Sequence, residues 1–220
     1  AMRKQAKELL REMVDRKLNL KWHVSSFAIF VIDDEMLDLM KAAGCIGVNV
    51  AIESGSPRVL KEIINKPIKD LEAVPSLIKK IKARDMYVLA NFIIGSPGET
   101  WEEIRETISF AENCGADYCK FFIAVPLEGT DMYEMARELN AFEHDHRANT
   151  PKLDWRFSQL KSDEWTSKDV SILRVYEWDR INFAPERIEK TAEIWGVSIN
   201  ELNQIRQQTR LALQNEAMTA

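Results

Sequence analysis

Two kinds of apolar spacing alternate along the chain, and the alternation predicts its elements. In "RKQAKELLREMVDRK" (residues 3–17), Ala6, Leu9, Leu10, Met13 and Val14 recur at helical spacing among charged residues, which predicts an amphipathic helix. "LNLKWHVSSF" (18–27) follows as an extended run. Asp33 or Asp34 is suited to cap a helix over "EMLDLMKAAG" (35–44), and Gly44 to end it. "CIGVNVAI" (45–52) reads as a strand. Ser56 can cap a helix over "PRVLKEII" (57–64), with Pro57 at the first position, where a missing N–H is harmless. A further helix runs from Asp70 to Lys82 with Pro75 near its first turn. The strand "MYVLANFII" (86–94) comes next, and Glu99-Thr100 lead into the helix "WEEIRETISFAENCG" (101–115). The strand "YCKFFIAV" (118–125), the turn "PLEGT" (126–130) and the helix "DMYEMAREL" (131–139) complete the series.

Strands that are nearly continuous apolar runs, each followed by a helix, predict a parallel sheet covered by helices. A complete eight-fold barrel takes ~250 residues, whereas residues 1–140 hold four strand–helix units. The expected fold is therefore α/β, an incomplete parallel (βα) barrel. Residues 141–162 are polar and aromatic with Pro151 and read as a linker. Helical periodicity returns in "VSILRVYEWDRINF", "PERIEKTAEIWG" and "SINELNQIRQQTRLALQ", so residues 163–220 are expected as a helical extension.

Composition narrows the setting. With 220 residues, 45% hydrophobic, the chain can bury a real core, and a net charge of −5 gives no general attraction to nucleic acid or anionic membrane. No run approaches the length of a membrane span, so a cytoplasmic protein is expected, with neither membrane nor nucleic acid as partner. Three widely spread cysteines, Cys45, Cys114 and Cys119, argue against a secreted disulfide framework and for buried thiols.

Candidate chemistry lies in two segments, "NVAIESGSPRVL" (49–60) and "NFIIGSPGET" (91–100). Each ends a strand at a Gly/Ser/Pro turn and restarts as a helix. Ligands of parallel sheets gather at the carboxyl ends of strands, where such loops converge. Gly55, Gly95 and Gly98 let the backbone bend and a ligand come close. Glu53 and Ser54 offer hydrogen bonds suited to sugar hydroxyls, and Ile93 a surface suited to a purine face. Packing of a tight turn is the competing reading of the same glycines.

Three segments, "GVNVAIESGSPRVLKEIINKPI", "NFIIGSPGETWEEIRET" and "VPLEGTDMYEMA", in this order and spacing, resemble the radical S-adenosylmethionine (SAM) superfamily, especially the branch that often carries an N-terminal cobalamin-binding domain. The resemblance covers roughly residues 3–140. It implies a partial barrel of six βα units in which a 4Fe-4S cluster cleaves SAM reductively to a 5′-deoxyadenosyl radical. It places Glu53 and Ser54 at the ribose-contacting end of the fourth barrel strand. Asn91 to Gly95 resemble the fifth-strand motif, with Ile93 against adenine, and Phe122 to Leu127, including Val125 and Leu127, the sixth-strand end that holds the adenine edge. Glu99 is expected to cap the next helix.

The departures from the family pattern are specific. The three-cysteine loop that binds the cluster has no counterpart, and Cys114 and Cys119, with four residues between them, are expected as core thiols with Cys45. The first helix resembles the family's second, so two strands are expected to be missing, and Phe27 stands where many relatives carry a basic residue. The expectation is the C-terminal part of a radical SAM enzyme, inactive alone, with no catalytic or metal-binding residue of its own. SAM and the cluster, with cobalamin as an option, then belong to a full-length parent and none of them to this chain. A non-catalytic α/β scaffold is the alternative. An unpaired strand edge at Leu20–Phe27 would favour self-association.

Other residues have bland readings. His144 and His146 lack a third metal ligand at recognisable spacing and read as a solvated run. His23 reads as a satisfied buried histidine. Trp155, Trp165, Trp178 and Trp195 keep no stacking period and read as packing residues. "TAEIWGVSINELNQIRQQTR" has only a vague helix-turn-helix look with late positive charge.

Overall fold

A computed structural model describes residues 2–27, 33–66, 70–143 and 157–217. His144, His146 and Trp155 lie outside the described residues. In chain order the elements are helix α1 (Met2–Asp15), strand β1 (Trp22–Phe27), α2 (Asp34–Ala42), β2 (Cys45–Glu53), a π-helical turn (Val59–Ile63), α3 (Val74–Lys82), β3 (Tyr87–Ile94), α4 (Trp101–Asn113), β4 (Tyr118–Ile123), α5 (Asp131–Glu138), α6 (Ser167–Asn182), α7 (Ile188–Trp195) and α8 (Ile199–Ala217). The four strands form one parallel sheet in sequential order, β1-β2-β3-β4, as the alternation of periods requires.

Local chemistry sets most element ends. Asp33 caps α2 by accepting from the Met36 N–H at 2.8 Å, and Gly44, at φ +90, follows the helix end in the left-handed region that a Cβ disfavours. Thr100 and Glu103 form a capping box on α4, and Thr166 and Asp169 another on α6. Two boundaries differ from the sequence pattern. The third helix starts at Val74, because the Asp70 carboxylate engages the Ala73 N–H and forms a turn before it. The segment after Ser56 widens to a π turn, with Ile64 N–H bonding Val59 O.

The sheet has one covered face and one open face. On β3, Val88, Ala90, Phe92 and Ile94 are fully buried, while Tyr87, Leu89, Asn91 and Ile93 are half-buried. The covered face packs on the helices: Phe92 meets Phe110 of α4 edge-on and stacks on Phe121. Residues from α1 to α6 share this core, and Leu160, Trp165, Val170 and Ile181 belong to it. Thus α6 is part of the body of the sheet. Only Phe183, Ala192 and Leu202, with Trp178, Ile188 and Val197, form a second small cluster under α7 and α8. The ends of segment 141–162 pair with each other through an antiparallel bridge between Phe142 and Leu160.

All three cysteines are buried and unbridged, as expected of core thiols. His23, expected to be buried, is exposed on edge strand β1. Trp165, Trp178 and Trp195 serve packing: Trp165 is buried and donates to Glu99 O at 2.9 Å, Trp178 donates to the Tyr118 hydroxyl at 2.6 Å, and Trp195 lies against the Tyr118 ring. The late positive charge is held within the fold, since Arg206 and Arg210 both pair with Asp179 of α6. No helix of the described residues is long and apolar enough to cross a membrane.

Candidate functional site

The carboxyl ends of β2, β3 and β4 form one lip, and the parallel register lines up the residues on it. Ala51, Asn91 and Lys120 stand in one row across the open face, and Ile93 stands beside Phe122 in the next row toward the carboxyl end. Glu53 ends β2 beside this row, after a shift in register between Ala51 and Glu53.

Glu53 is the most unusual residue of the lip. Its φ of +73 is rare for a side chain with a Cβ, a strain of the kind that concentrates at ligand sites. Lys66 returns from the π turn to hold it, donating to Glu53 Oε1 and to Ala51 O, each at 3.0 Å. The carboxylate stays half-buried at the open edge.

Ser54 takes the other direction. The left-handed bend at Glu53 turns it under the sheet, where it is fully buried and its hydroxyl bonds Thr107 Oγ1 at 2.9 Å and accepts from the Ser56 N–H at 3.0 Å. It is committed to holding the loop on α4, so the sequence expectation of a ligand contact there does not fit its surroundings.

Asn91 and Ile93 are half-buried on the open face. Asn91 Oδ1 is buried without a hydrogen-bond partner among the described residues, and so is Oδ1 of Asn49, two residues before Ala51 on the same face of β2. A buried acceptor left unpaired is disfavoured by about 1–3 kcal/mol, and a ligand donor would relieve it. Val125 is half-buried and Leu127 is 39% exposed in the loop after β4, where Thr130 anchors Leu127 O through its hydroxyl at 2.7 Å.

The glycines of the two loops serve packing. A Cβ on Gly55 would lie 2.7–2.9 Å from Phe110, Glu106 and Thr107 of α4, and one on Gly95 would lie 2.8 Å from Val170 Cγ1. Gly95 and Gly98 also need their φ of +76 and +73. What approaches these backbones is the protein itself.

Two acids behind the lip differ sharply. Glu103 is paired by Arg58, whose Nε and Nη2 reach it at 2.6 and 2.5 Å, and this hydrogen bonding holds its carboxyl down to about 2. Arg58 also donates to Gly98 O at 2.8 Å, stapling the loop after β2 to the loop after β3. Glu99, expected to cap α4, does not; Thr100 takes that place. Glu99 is instead buried, and burial pushes its carboxyl up to about 8, despite the hydrogen bond that its Oε2 accepts from the Ser96 N–H at 2.8 Å. It latches the turn after β3 from inside.

Sequence reasoning missed Asn49 and Lys120. Their signal was a single polar residue interrupting each apolar strand, in "GVNVAI" and "YCKFFI". The residues present do not fit an iron–sulfur cluster. Cys45 starts β2, Cys114 and Cys119 lie behind β4, and no cluster of three or more metal-binding side chains occurs among the described residues.

Comparison with known proteins identifies the family. The family model described as "Radical SAM superfamily" matches residues 1–111. Cytidylyl-2-hydroxyethylphosphonate methyltransferase of Streptomyces wedmorensis is 39% identical over 134 residues, 58% of this chain and 24% of that protein. An uncharacterized methyltransferase of Pyrococcus horikoshii is 36% identical over 134 residues, 61% of this chain and 28% of that protein. The chain thus spans about a quarter of the length of these relatives. Coproporphyrinogen III oxidase of Escherichia coli, a radical SAM enzyme, shares the fold at a TM-score of 0.54 and 14% identity, over 80% of this chain and 36% of that one. With a parallel βα sheet, the strand-end segments on one lip and half of its length matched by the family, this chain belongs to the radical SAM superfamily.

Proposed function

We propose that this chain supplies the nucleoside-binding wall of a radical SAM enzyme that transfers methyl groups. The observation that carries the proposal is the lip itself: Glu53, strained and held by Lys66, stands beside the row of Ile93 and Phe122, with the unpaired Asn91 acceptor one row below. In this reading Glu53 accepts from ribose hydroxyls, Ile93 lies against adenine, the backbone at Gly95 shapes the turn above it, and Val125 and Leu127 close the adenine edge. Ser54 supports Glu53 from below. Asn91 meets a polar group of the ligand. Methyl transfer is proposed because two relatives of 36% and 39% identity carry the name methyltransferase.

The reductive chemistry of the family comes from a 4Fe-4S cluster, which this chain's cysteines do not fit, so cluster and SAM cleavage are assigned to another part of a longer parent. A cobalamin domain, as in the branch the sequence resembles, belongs to the same parent. The chain alone is then inactive and binds SAM weakly, because the amino and carboxylate groups lose their iron. A dissociation constant near ~1 mM, about −4 kcal/mol, is expected. Calorimetric or NMR titration with SAM tests this: Glu53→Ala should abolish the residual binding, and micromolar affinity or indifference to Glu53 would show the site to be misplaced.

Burial of all three cysteines favours a second reading, a non-catalytic α/β binding protein derived from the same fold. Anaerobic reconstitution with iron and sulfide of the full gene product separates the two. A cluster absorbing in the visible supports the enzyme, and a colourless product supports the binding protein.

A further inference from the structure

Behind β4, away from the lip, two thiols and a guanidinium meet. Cys114 caps the C-terminus of α4 and Cys119 is the second residue of β4, joined by a short turn that Gly115 makes at φ +84. Both side chains point into one spot: their sulfurs lie 3.4 and 3.2 Å from the same acceptor, Ala111 O. Arg187, at the start of α7, reaches the same spot. Its Nη2 donates to Glu112 O at 2.6 Å, while its Nη1 is buried with no hydrogen-bond partner among the described residues, and its charge acts on both thiols.

A buried cysteine alone is ordinarily a small apolar filler. This pair differs in two respects. The sulfurs are mutual neighbours, and the cation next to them has a nitrogen that neutral thiols leave unsatisfied, an arrangement that burial disfavours. A thiolate would satisfy it. Arg187 also lines an open cleft of about 720 Å³ with Glu112, Asn113 and Phe183, so a small solute reaches the guanidinium from solvent.

We propose that Cys114 and Cys119 are a redox-active pair that hydrogen peroxide converts into an intramolecular disulfide and a small dithiol restores. The Cys114 sulfur attacks the peroxide oxygen and becomes a sulfenic acid, and the departing hydroxide takes the Cys114 proton to leave as water. The Cys119 sulfur then displaces hydroxide from the sulfenic sulfur, and that hydroxide leaves as a second water with the Cys119 proton. Two thiols are oxidised by two electrons and one peroxide is reduced. Cys114 is the attacking group because its interaction with the neighbouring Cys119 thiol favours the Cys114 thiolate, with the Arg187 charge contributing, while the more deeply buried Cys119 is held well above the usual thiol value. The bond joins α4 to β4 and so braces the strand that carries Phe122. The proposal does not depend on SAM binding.

The test is mass spectrometry of the folded, reduced full chain after hydrogen peroxide. Non-reducing peptide maps should show Cys114 linked to Cys119, with the mass of two hydrogens lost, reversibly with dithiothreitol. Cys45→Ser should leave this unchanged. Cys119→Ser should yield a dimedone adduct on Cys114, and Cys114→Ser no crosslink and no adduct at Cys119. Arg187→Gln, with an unchanged circular dichroism spectrum, should slow crosslinking about tenfold. The proposal is overturned if the pair stays reduced while Cys45 oxidises, if the link forms only in denaturant, or if Arg187→Gln leaves the rate unchanged.

Discussion

The side-chain amide of Asn182, on α6, completes both backbone hydrogen bonds of Cys119 on β4. Its Oδ1 accepts from the Cys119 N–H at 2.7 Å and its Nδ2 donates to Cys119 O at 2.7 Å. The amide stands in for the next strand of the sheet. Arg174 extends the cover by donating to Phe121 O at 2.9 Å. The outer edge of β4 is thereby closed to other chains. Asn182→Ala leaves a buried donor and acceptor unpaired and should destabilise the protein by about 2–4 kcal/mol in urea denaturation. A loss below about 0.5 kcal/mol would mean that water replaces the amide.

The opposite edge has no such cover. Strand β1 pairs only with β2 among the described residues. Its free backbone groups should pair with a second copy, so sedimentation velocity is expected to show association that grows with concentration. A single monomeric species at high concentration would count against this.

Glu99 should make stability fall as pH rises. Burial places its folded carboxyl at about 8, above the ordinary 4.5, with Glu103 raising it further and Arg58 opposing. Below the unfolded value both states hold the proton and nothing is lost. Between about pH 5 and 8 the unfolded chain releases the proton and the folded one keeps it, so stability drops by on the order of 5 kcal/mol and then levels off. Glu99→Gln should flatten this segment of the pH–stability curve. Glu103, held at about 2 by Arg58, acts in the other sense: its stabilisation is present above about pH 4.5 and fades as pH falls toward 2.

Gly95 separates strain from collision. Gly95→Ala meets Val170 Cγ1 at 2.8 Å and also occupies φ +76. A loss of about 2–4 kcal/mol is expected, combining an unfavourable backbone region with overpacking. In a double-mutant cycle, Val170→Ala should recover the collision part and leave about 1 kcal/mol of backbone strain. Full additivity would show that the two residues do not meet.

Much of this protein was legible in its sequence, because the signals are local. Apolar runs broken by helical stripes fixed the order of strands and helices, Asp33 and Gly44 marked the ends of α2 by their own bonding and steric preferences, and "ESGSP" and "GSPGE" marked the strand ends where ligands gather. Long-range packing decided the rest. Glu99 looks like a helix cap because it precedes α4, yet the turn folds it inward, where Trp165 and Val170 from the C-terminal part close over its backbone and over Gly95. Ser54 differs from Glu53 by one position, but the left-handed bend between them sends one side chain to the lip and the other beneath α4. Asn182 and Cys119 lie 63 residues apart, and no periodicity joins them. Hydrogen-bonding partners, burial and the carboxyl and thiol values that follow from them depend on which surfaces meet, and only the packed chain brings those surfaces together.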